Sequence, residues 1–311
     1  MSSRPRLIIG IPSFGRPERC QSAIASVLWQ SLPARVIVAD DSDNDETEEM
    51  CRQFADHPCF SYRRSPATTL WRNWEWVARE AIAEGAEFFT WLQNDDILSP
   101  KFARRVVRSF DQFPRAQLYC ANLLTAYNNM LGVRWDGNWG PRIPLDHLFG
   151  NPITFHGKLL TPIAYCDSWS LSPAKSFRVG DAFNEMLGQL PDGADSMTEV
   201  MDTAYMGLFG PVIADPQMAG YWMLHESNES ELTRSKRASE EAVGLSFLDG
   251  LMSQVPEWAS LLVEWANFAA ADELLASYIA TANARRNKSV FAGEIADCLS
   301  SILESRKSAA A

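Results

Sequence analysis

The sequence predicts an α/β fold with a mostly parallel central sheet and a helical C-terminal appendage. Three apolar runs have the length and composition of buried strands, namely Leu7–Ile11, Arg35–Ala39 and Phe88–Leu92. They alternate with stretches whose apolar residues recur at helical spacing, which is typical of parallel βαβ units. From about residue 230 onward, helix-forming residues dominate the chain.

Local signals set the ends of the other elements. Pro12 ends the first strand, Gly85 ends the helix before the third strand, and Pro114 ends the helix after it. No internal repeat interrupts this order. We expect helices over 17–30, 47–54, 70–83, 101–113 and 202–209, and further strands over 118–121 and 212–214.

Composition limits the class of protein. The chain has 311 residues, of which 46% are hydrophobic, enough for a substantial core. Its formal charge of −11 excludes a sequence-independent electrostatic hold on nucleic acid, which requires a basic face. The six cysteines lack zinc-like spacing, so we expect reduced thiols in a cytoplasmic protein. We expect no transmembrane segment, because acidic residues interrupt the longest apolar tract, 261–280.

Acidic side chains follow the second and third strands, at the edge where open α/β sheets bind ligands. Asp95 and Asp96 are adjacent and follow Asn94, and such oxygen ligands suit Mg²⁺ or Mn²⁺. The alternative is that one acid caps the helix near Pro100. Asp41, after the second strand, has the place of acids that bind a nucleobase or ribose. Its alternative is a solvated acidic loop that caps the next helix.

Three further segments have a functional and a structural interpretation. Residues 11–18, after the first strand, form either a ligand-binding bend or an ordinary turn. Glu199 and Asp202 are spaced to share one side of a helix, where either is a candidate general base or a favourable charge in a first turn. His225 is either a structural residue or a metal ligand that the fold returns to the acids.

In this order, the segments resemble the inverting glycosyltransferases of family 2, which have the GT-A fold. The opening motif I-P-x-[YF]-N-R-P-E is similar to residues 11–18, and the metal motif L-D-x-D-D-x-x-x-P is similar to residues 92–100. The remaining similarities are V-D-D-x-S-x-D-x-T with 39–47, A-R-N with 71–73, E-D with 201–202 and the late H-x-x-[SN]-x-S with 225–230.

The resemblance implies a GT-A-like, Rossmann-type three-layer fold and a metal-dependent transfer of sugar, with inversion, from a nucleotide-diphosphate donor to an acceptor hydroxyl. A UDP-sugar is the expected donor, and Mn²⁺ or Mg²⁺ the expected cofactor. The implied nucleotide-binding residues are Pro12, Ser13, Phe14, Arg16, Asp41, Arg72, Gln93 and Asn94. The implied metal-binding residues are Asp95, Asp96 and His225, and the implied catalytic base is Asp202, with Glu199 as its rival.

Two residues depart from the family pattern. Gln93 replaces the first acid of the metal motif, and Met201 replaces the acid before the base. They leave open a catalytically degenerate protein that binds sugar nucleotides or a partner. A nucleotidyltransferase is the second alternative, in which the same acids would bind metals for attack on an α-phosphate. The loop after the first strand lacks the glycines and lysines that would favour this alternative.

The expected organisation is a glycosyltransferase domain over 1–229 and a helical extension over 230–311. Residues 1–100 would form the nucleotide-binding half and residues 101–229 the acceptor half. The expected partners are a nucleotide-sugar donor and a sugar, lipid-linked or protein acceptor, as in polysaccharide or glycoconjugate biosynthesis. We expect the C-terminal helices to be the site of any homo-oligomerisation.

Overall fold

One mixed sheet organises the molecule. The computed structural model describes residues 5–127, 151–166, 174–224, 237–269 and 272–310. The strands in these residues are β1 (Leu7–Ser13), β2 (Arg35–Asp40), β3 (Phe60–Arg64), β4 (Phe88–Trp91), β5 (Ile97–Leu98), β6 (Leu118–Tyr127), β7 (Ile153–Phe155), β8 (Lys175–Arg178) and β9 (Val212–Leu224). Their order across the sheet is β3-β2-β1-β4-β8-β6-β9-β5, and β7 pairs with β9.

Helices cover both faces of the sheet. Those that the structure describes are α1 (Pro17–Leu28), α2 (Glu46–Cys51), α3 (Leu70–Ala83), α4 (Phe102–Gln112), α5 (Leu160–Ala164), α6 (Asp181–Gln189), α7 (Thr198–Gly207), α8 (Arg237–Met252), α9 (Trp258–Ala269), α10 (Asp272–Arg285) and α11 (Val290–Ala310). None of them is long and apolar enough to cross a membrane.

The pairing of the strands confirms the predicted mostly parallel sheet. β1 pairs in parallel with β2 and β4, and β2 pairs in parallel with β3. β8 then runs antiparallel to both β4 and β6, so β6 and its parallel partner β9 point the same way as β1. The carboxyl ends of β1, β2 and β4 therefore lie side by side at one edge, the place where such sheets bind ligands.

Alternation along the strands divides the core into two layers. Ile8 and Ile37 point into one buried cluster with α3 and α7, whereas Ile9 and Val38 point into the other with α1 and α4. The sheet between these clusters gives the three-layer α/β arrangement. Gly10 lets α3 approach closely, since a Cβ there would lie 2.8 Å from Phe89 and 2.9 Å from Val77.

The C-terminal helices α8 to α11 share the core of the α3 and α7 layer. Leu245, Leu275 and Leu299 belong to the same buried cluster as Met201 of α7. Polar contacts also join the two parts, because Asp249 of α8 accepts hydrogen bonds from the hydroxyls of Tyr165 at 2.8 Å and Ser289 at 2.6 Å. The predicted helical C-terminal part is confirmed, and it packs directly on the α/β part of the chain.

Some elements differ from those that the sequence predicts. The helix expected over 202–209 is α7, which begins at Thr198, and the strand expected over 212–214 continues as β9 to Leu224. β3 and β8 were not predicted. Both are short and carry charged residues, so they lack the apolar signature of a buried strand.

Candidate active site

The turn after β1 opens the candidate site. Ser13, the last residue of β1, is buried, and the chain then turns through Gly15 and Arg16, whose φ angles are +62° and +58°. The left-handed conformation is common for glycine but uncommon for other residues, so Arg16 is held there by its surroundings. Pro17 follows as the first residue of α1, where its fixed φ favours helix initiation.

Hydrogen bonds join three strand ends at Ser13. The backbone N–H of Asp41, after β2, donates to the Ser13 carbonyl at 3.1 Å. The Asn94 side chain, after β4, donates to Ser13 Oγ at 3.2 Å and to the Gly15 carbonyl at 3.3 Å. We refer to Ser13, Asp41, Asn94 and Asp95 as the strand-end cluster. The structure therefore brings together four residues that the sequence predicted as parts of one site.

Asp41 presents a carboxylate at this edge. Its Oδ1 accepts a hydrogen bond of 2.8 Å from Asn73 Nδ2 of α3, which also donates to the Ala39 carbonyl at 3.0 Å. Burial raises the pKa of Asp41 to about 6, the charge of Asp40 adds to the rise, and the hydrogen bond from Asn73 opposes it. Asn73 was not among the predicted site residues. The sequence feature that could have indicated Asn73 is its place beside Arg72 in residues 71–73, which are similar to the family motif A-R-N.

The neighbouring acid, Asp40, has a structural role. It is fully buried, and its carboxylate accepts hydrogen bonds from the N–H and hydroxyl of Ser42 and from the Tyr62 hydroxyl at 2.8 Å. The Arg64 guanidinium lies 3.4 Å from the same carboxylate. Asp40 therefore fixes the loop after β2, and this leaves Asp41 as the acid that faces the edge.

Asp95 and Asp96 are both buried but have different partners. Arg16 Nη1 donates to Asp95 Oδ2 at 3.0 Å, which links the β1 turn to the acids after β4. Asp96 Oδ1 accepts from the Met223 N–H at 2.9 Å, while its buried Oδ2 has no hydrogen-bond partner in the described residues. Burial raises the pKa of Asp96 well above its usual range, and the negative charges of Asp95 and Glu199 raise it further.

These two acids fit a cation that shares its other ligands with a substrate. The described residues contain no group of three or more His, Cys, Asp or Glu side chains placed to hold a metal ion. Two adjacent buried carboxylates, one with an orphaned oxygen, are the usual protein share of a Mg²⁺ or Mn²⁺ site completed by phosphate oxygens and water. His225, the third predicted metal ligand, lies outside the described residues.

Four predicted nucleotide-binding residues lie around this cluster in different ways. Pro12 is buried within β1, Gln93 is half-buried, and the Phe14 ring is 61% exposed. The exposed Arg72 guanidinium bonds to Glu75 and Asp192, each at 2.6 Å. A ligand bound by Arg72 would therefore have to compete with these two acids.

The two candidate bases lie near the start of α7 but differ in exposure. Asp202 is fully buried, and its Oδ1 accepts a hydrogen bond of 2.6 Å from the equally buried Lys175 Nζ. Burial raises the pKa of Asp202 to about 6, although Lys175 opposes the rise. Glu199 is half-buried, and its charge acts on both Asp202 and Asp96. Glu199 is thus the acid electrostatically coupled to the strand-end carboxylates.

The sequence agrees with this geometry when compared with known families. Residues 8–155 match the family described as "Glycosyl transferase family 2". Over these residues, the chain is similar to glycosyl transferase family 2. The matched residues contain all members of the strand-end cluster together with Asp96, whereas α7 lies beyond them. No curated protein matches this chain in sequence.

Solved structures share the fold of this chain. The crystal structure of S. aureus TarS 1–349 superposes with a TM-score of 0.56 at 14% identity, covering 98% of this chain and 92% of that one. The same fragment in complex with UDP-GlcNAc gives 0.53 at 14% identity, with the same coverage. The mannosyltransferase PcManGT from Pyrobaculum calidifontis, in complex with GDP-Man and Mn²⁺, gives 0.51 at 16% identity, covering 96% and 87%. The common fold is GT-A-like.

Proposed function

We propose that this glycosyltransferase moves a sugar from a nucleotide-diphosphate donor, with UDP-sugar as first choice, to an acceptor hydroxyl with inversion. The observation that carries the proposal is the strand-end cluster, in which Ser13 bonds to the residues after β2 and β4. One edge thus offers hydrogen-bonding groups beside two carboxylates. The complexes of TarS with UDP-GlcNAc and of PcManGT with GDP-Man and Mn²⁺ support this class of donor.

The nucleotide-sugar donor would lie along the cluster, with its nucleobase at Asp41 and its diphosphate near Asp95. Asp41 and Ser13 would contact the nucleobase, since an ionised carboxylate accepts hydrogen bonds from ring N–H groups. Arg16 already lies beside Asp95, so its guanidinium is close enough to the acids to meet a diphosphate. The exposed ring of Phe14 offers an apolar face to the base.

Asp95 and Asp96 would hold a divalent cation. When bound, Mn²⁺ or Mg²⁺ would stabilise the negative charge that develops on the departing nucleoside diphosphate. The orphaned Oδ2 of Asp96 supports this assignment, because a buried carboxylate oxygen without a partner is costly unless a ligand satisfies it. Arg16 would keep Asp95 in place on the side of the β1 turn.

Glu199 is the base that the contacts favour. Glu199 is half-buried, whereas Asp202 is fully buried, with its Oδ1 paired with Lys175. A base removes the proton of the acceptor hydroxyl as the oxygen attacks the anomeric carbon. In a single displacement this attack occurs opposite to the leaving group, and the configuration inverts. None of the six cysteines forms a disulfide, in keeping with a cytoplasmic enzyme.

A product assay tests this proposal. The chain would be incubated with a panel of UDP- and GDP-sugars and Mn²⁺, and UDP, GDP and pyrophosphate would be quantified by chromatography. Release of nucleoside diphosphate that rises with an acceptor and falls with EDTA is the expected result. Pyrophosphate release would instead identify a nucleotidyltransferase. Binding of nucleotide sugars without turnover would identify a degenerate binding protein.

A further inference from the structure

Lys175 is a charged residue in an unusual place. It is the first residue of β8, it is fully buried, and β8 runs antiparallel to β4. Lys175 therefore lies toward the end of β4 that leads to Asp95 and Asp96. Thr90 of β4 and Ser176 of β8 confirm the closeness of the strands, since their hydroxyl oxygens are 2.5 Å apart. A buried ammonium is costly unless each of its donors finds a partner.

Every donor of Lys175 goes to the first turn of α7. Nζ lies 2.7 Å from the Glu199 carbonyl, 2.6 Å from Asp202 Oδ1 and 3.3 Å from Thr203 Oγ1. Thr203 Oγ1 is itself 2.8 Å from the Glu199 carbonyl and 2.9 Å from Asp202 Oδ1. An ammonium has three N–H groups, and this turn uses all of them. Lys175 therefore fastens the start of α7 to β8.

Stability alone is a weak reason for such a pair. Replacing a buried ion pair with apolar residues of similar volume is often neutral or stabilising, because both charges lose their hydration on burial. The Lys175 ammonium lies 6.0 Å from the centroid of the Phe177 ring, which belongs to the larger core cluster together with Met201. An apolar pair would pack there equally well, but it would not bond to the Glu199 carbonyl. The bond to that carbonyl is what the pair adds.

We propose that Lys175 and Asp202 are positioning residues, which hold the start of α7 against β8 and thereby fix the place of Glu199. The inference rests on the proposed function, in which Glu199 is the base. It assigns Asp202 to the support of that base. A shift of about 1 Å in a catalytic group reduces the rate by about 10²-fold while leaving substrate binding intact.

Four variants separate positioning from folding. Lys175→Met removes the ammonium, and the double variant Lys175→Met/Asp202→Leu replaces the pair with apolar side chains. Asp202→Asn keeps an amide oxygen that accepts from Lys175. Lys158→Met is the matched control, because Lys158 forms an ion pair with Glu257 at 2.8 Å near the surface. For each variant, kcat, donor KM, Tm and amide hydrogen exchange over residues 198–203 would be measured.

We expect Lys175→Met to lower both Tm and kcat, the latter by about 10²-fold, with donor KM within about twofold of the wild-type value. The double variant should recover Tm but not kcat, and its first α7 turn should exchange about tenfold faster. Asp202→Asn should keep kcat within about tenfold, and Lys158→Met should change neither kcat nor exchange.

Two results would overturn the inference: a double variant with wild-type kcat and exchange, or a loss of more than about 10³-fold in Asp202→Asn, which would make Asp202 the base. Failure of the proposed function has a different signature. In that case the wild type releases no nucleoside diphosphate from any donor, while faster exchange in the double variant still supports the hold of Lys175 on α7.

Discussion

The strand-end cluster and the first turn of α7 are built in opposite ways. In the cluster, residues at the ends of β1, β2 and β4 bond to one another at one edge of the sheet, where Asp41 is half-buried and the others are buried. In α7, the turn is held by a buried ion pair with Lys175, a residue from a strand that runs against its neighbours. The first region is suited to bind a ligand, and the second to aim one carboxylate.

Two acids with similarly raised pKa values can have different roles. Asp41 and Asp202 are both acids whose pKa burial raises to about 6, yet they differ in their surroundings. Asp41 contacts an amide and is half-buried, so a ligand can reach it. Asp202 contacts an ammonium and is sealed. A perturbed pKa therefore marks both a binding residue and a supporting residue, and the contacts tell them apart.

The largest effect is expected from Asp95, the acid that Arg16 joins to the β1 turn. Asp95→Ala should lower kcat/KM by about 10³-fold or more, because cation binding contributes several kcal/mol to stabilisation of the leaving group. Steady-state turnover of the donor at saturating Mn²⁺ measures this fall in kcat/KM. Asp56→Ala, an exposed acid, is the control and should behave as the wild type. Equal activity of the two variants would remove Asp95 from the site.

Glu199→Gln should have the second largest effect, and this effect should be on kcat alone. Loss of a general base lowers the rate by about 10²-fold or more, whereas UDP affinity should stay within about twofold of the wild-type value. Steady-state kinetics together with UDP titration separates the two quantities. A weaker UDP affinity with unchanged kcat would place Glu199 in the donor site. It would contradict the assignment of donor binding to the strand-end cluster and of the base to α7.

Asp41 should make donor binding depend on pH. Its pKa near 6 means that the carboxylate is charged at pH 7.5 and largely protonated at pH 5, where it accepts hydrogen bonds poorly. UDP affinity should therefore fall by about tenfold between these values, and Asp41→Asn should show a flat profile. Calorimetric titration at both pH values measures the change. A wild-type profile as flat as that of the variant would contradict the assignment.

The raised pKa of Asp41 also predicts how the stability of the fold depends on pH. The folded pKa of Asp41 lies above its ordinary value of 3.8, so the folded state binds the proton more tightly than the unfolded state. The contribution of Asp41 to stability is therefore most favourable below pH 3.8 and is lost as the pH rises through 6. Asp41→Asn should raise Tm more at pH 7.5 than at pH 4. A rise confined to pH 4 would reverse the sign and refute the argument.

Ser13→Ala should have the smallest effect. It removes the hydroxyl that accepts from Asn94 but keeps the backbone carbonyl that accepts from Asp41. One neutral hydrogen bond is worth about 1 kcal/mol, so donor KM should rise by about fivefold with kcat unchanged. Ser22→Ala, an exposed serine, is the control. A fall in kcat without a change in KM would show that Ser13 does not support the donor.

Sequence reasoning predicted the strand-end cluster because its signals are local. Each member follows an apolar run within a few residues, and parallel strands bring their carboxyl ends together. The bounds of α3 were predicted as 70–83, as observed, and Gly85 was the signal for its end; the structure adds Thr69 as its N-cap, which accepts from the Arg72 N–H. The contact of Asp41 with Asn73 depends on how α3 packs, and no pattern in the sequence encodes it.

The α7 region could not be predicted in the same way. Lys175 contacts residues 24 to 28 positions further along the chain. β8 is a four-residue strand with a cation at each end, so it lacks the apolar run that would predict a buried position for Lys175. The choice between Asp202 and Glu199 depends on burial, which the spacing of the two acids on one helix does not determine.

The central claim is that the strand-end cluster binds a nucleoside diphosphate together with a divalent cation. Calorimetric titration of UDP and GDP into the wild type and Asp95→Ala, each with and without Mn²⁺, tests it directly. The account predicts that Mn²⁺ tightens binding of one nucleotide by at least about tenfold in the wild type and has no effect in Asp95→Ala. Nucleotide binding that ignores Mn²⁺ in the wild type, or a Mn²⁺ effect that survives in Asp95→Ala, would contradict it.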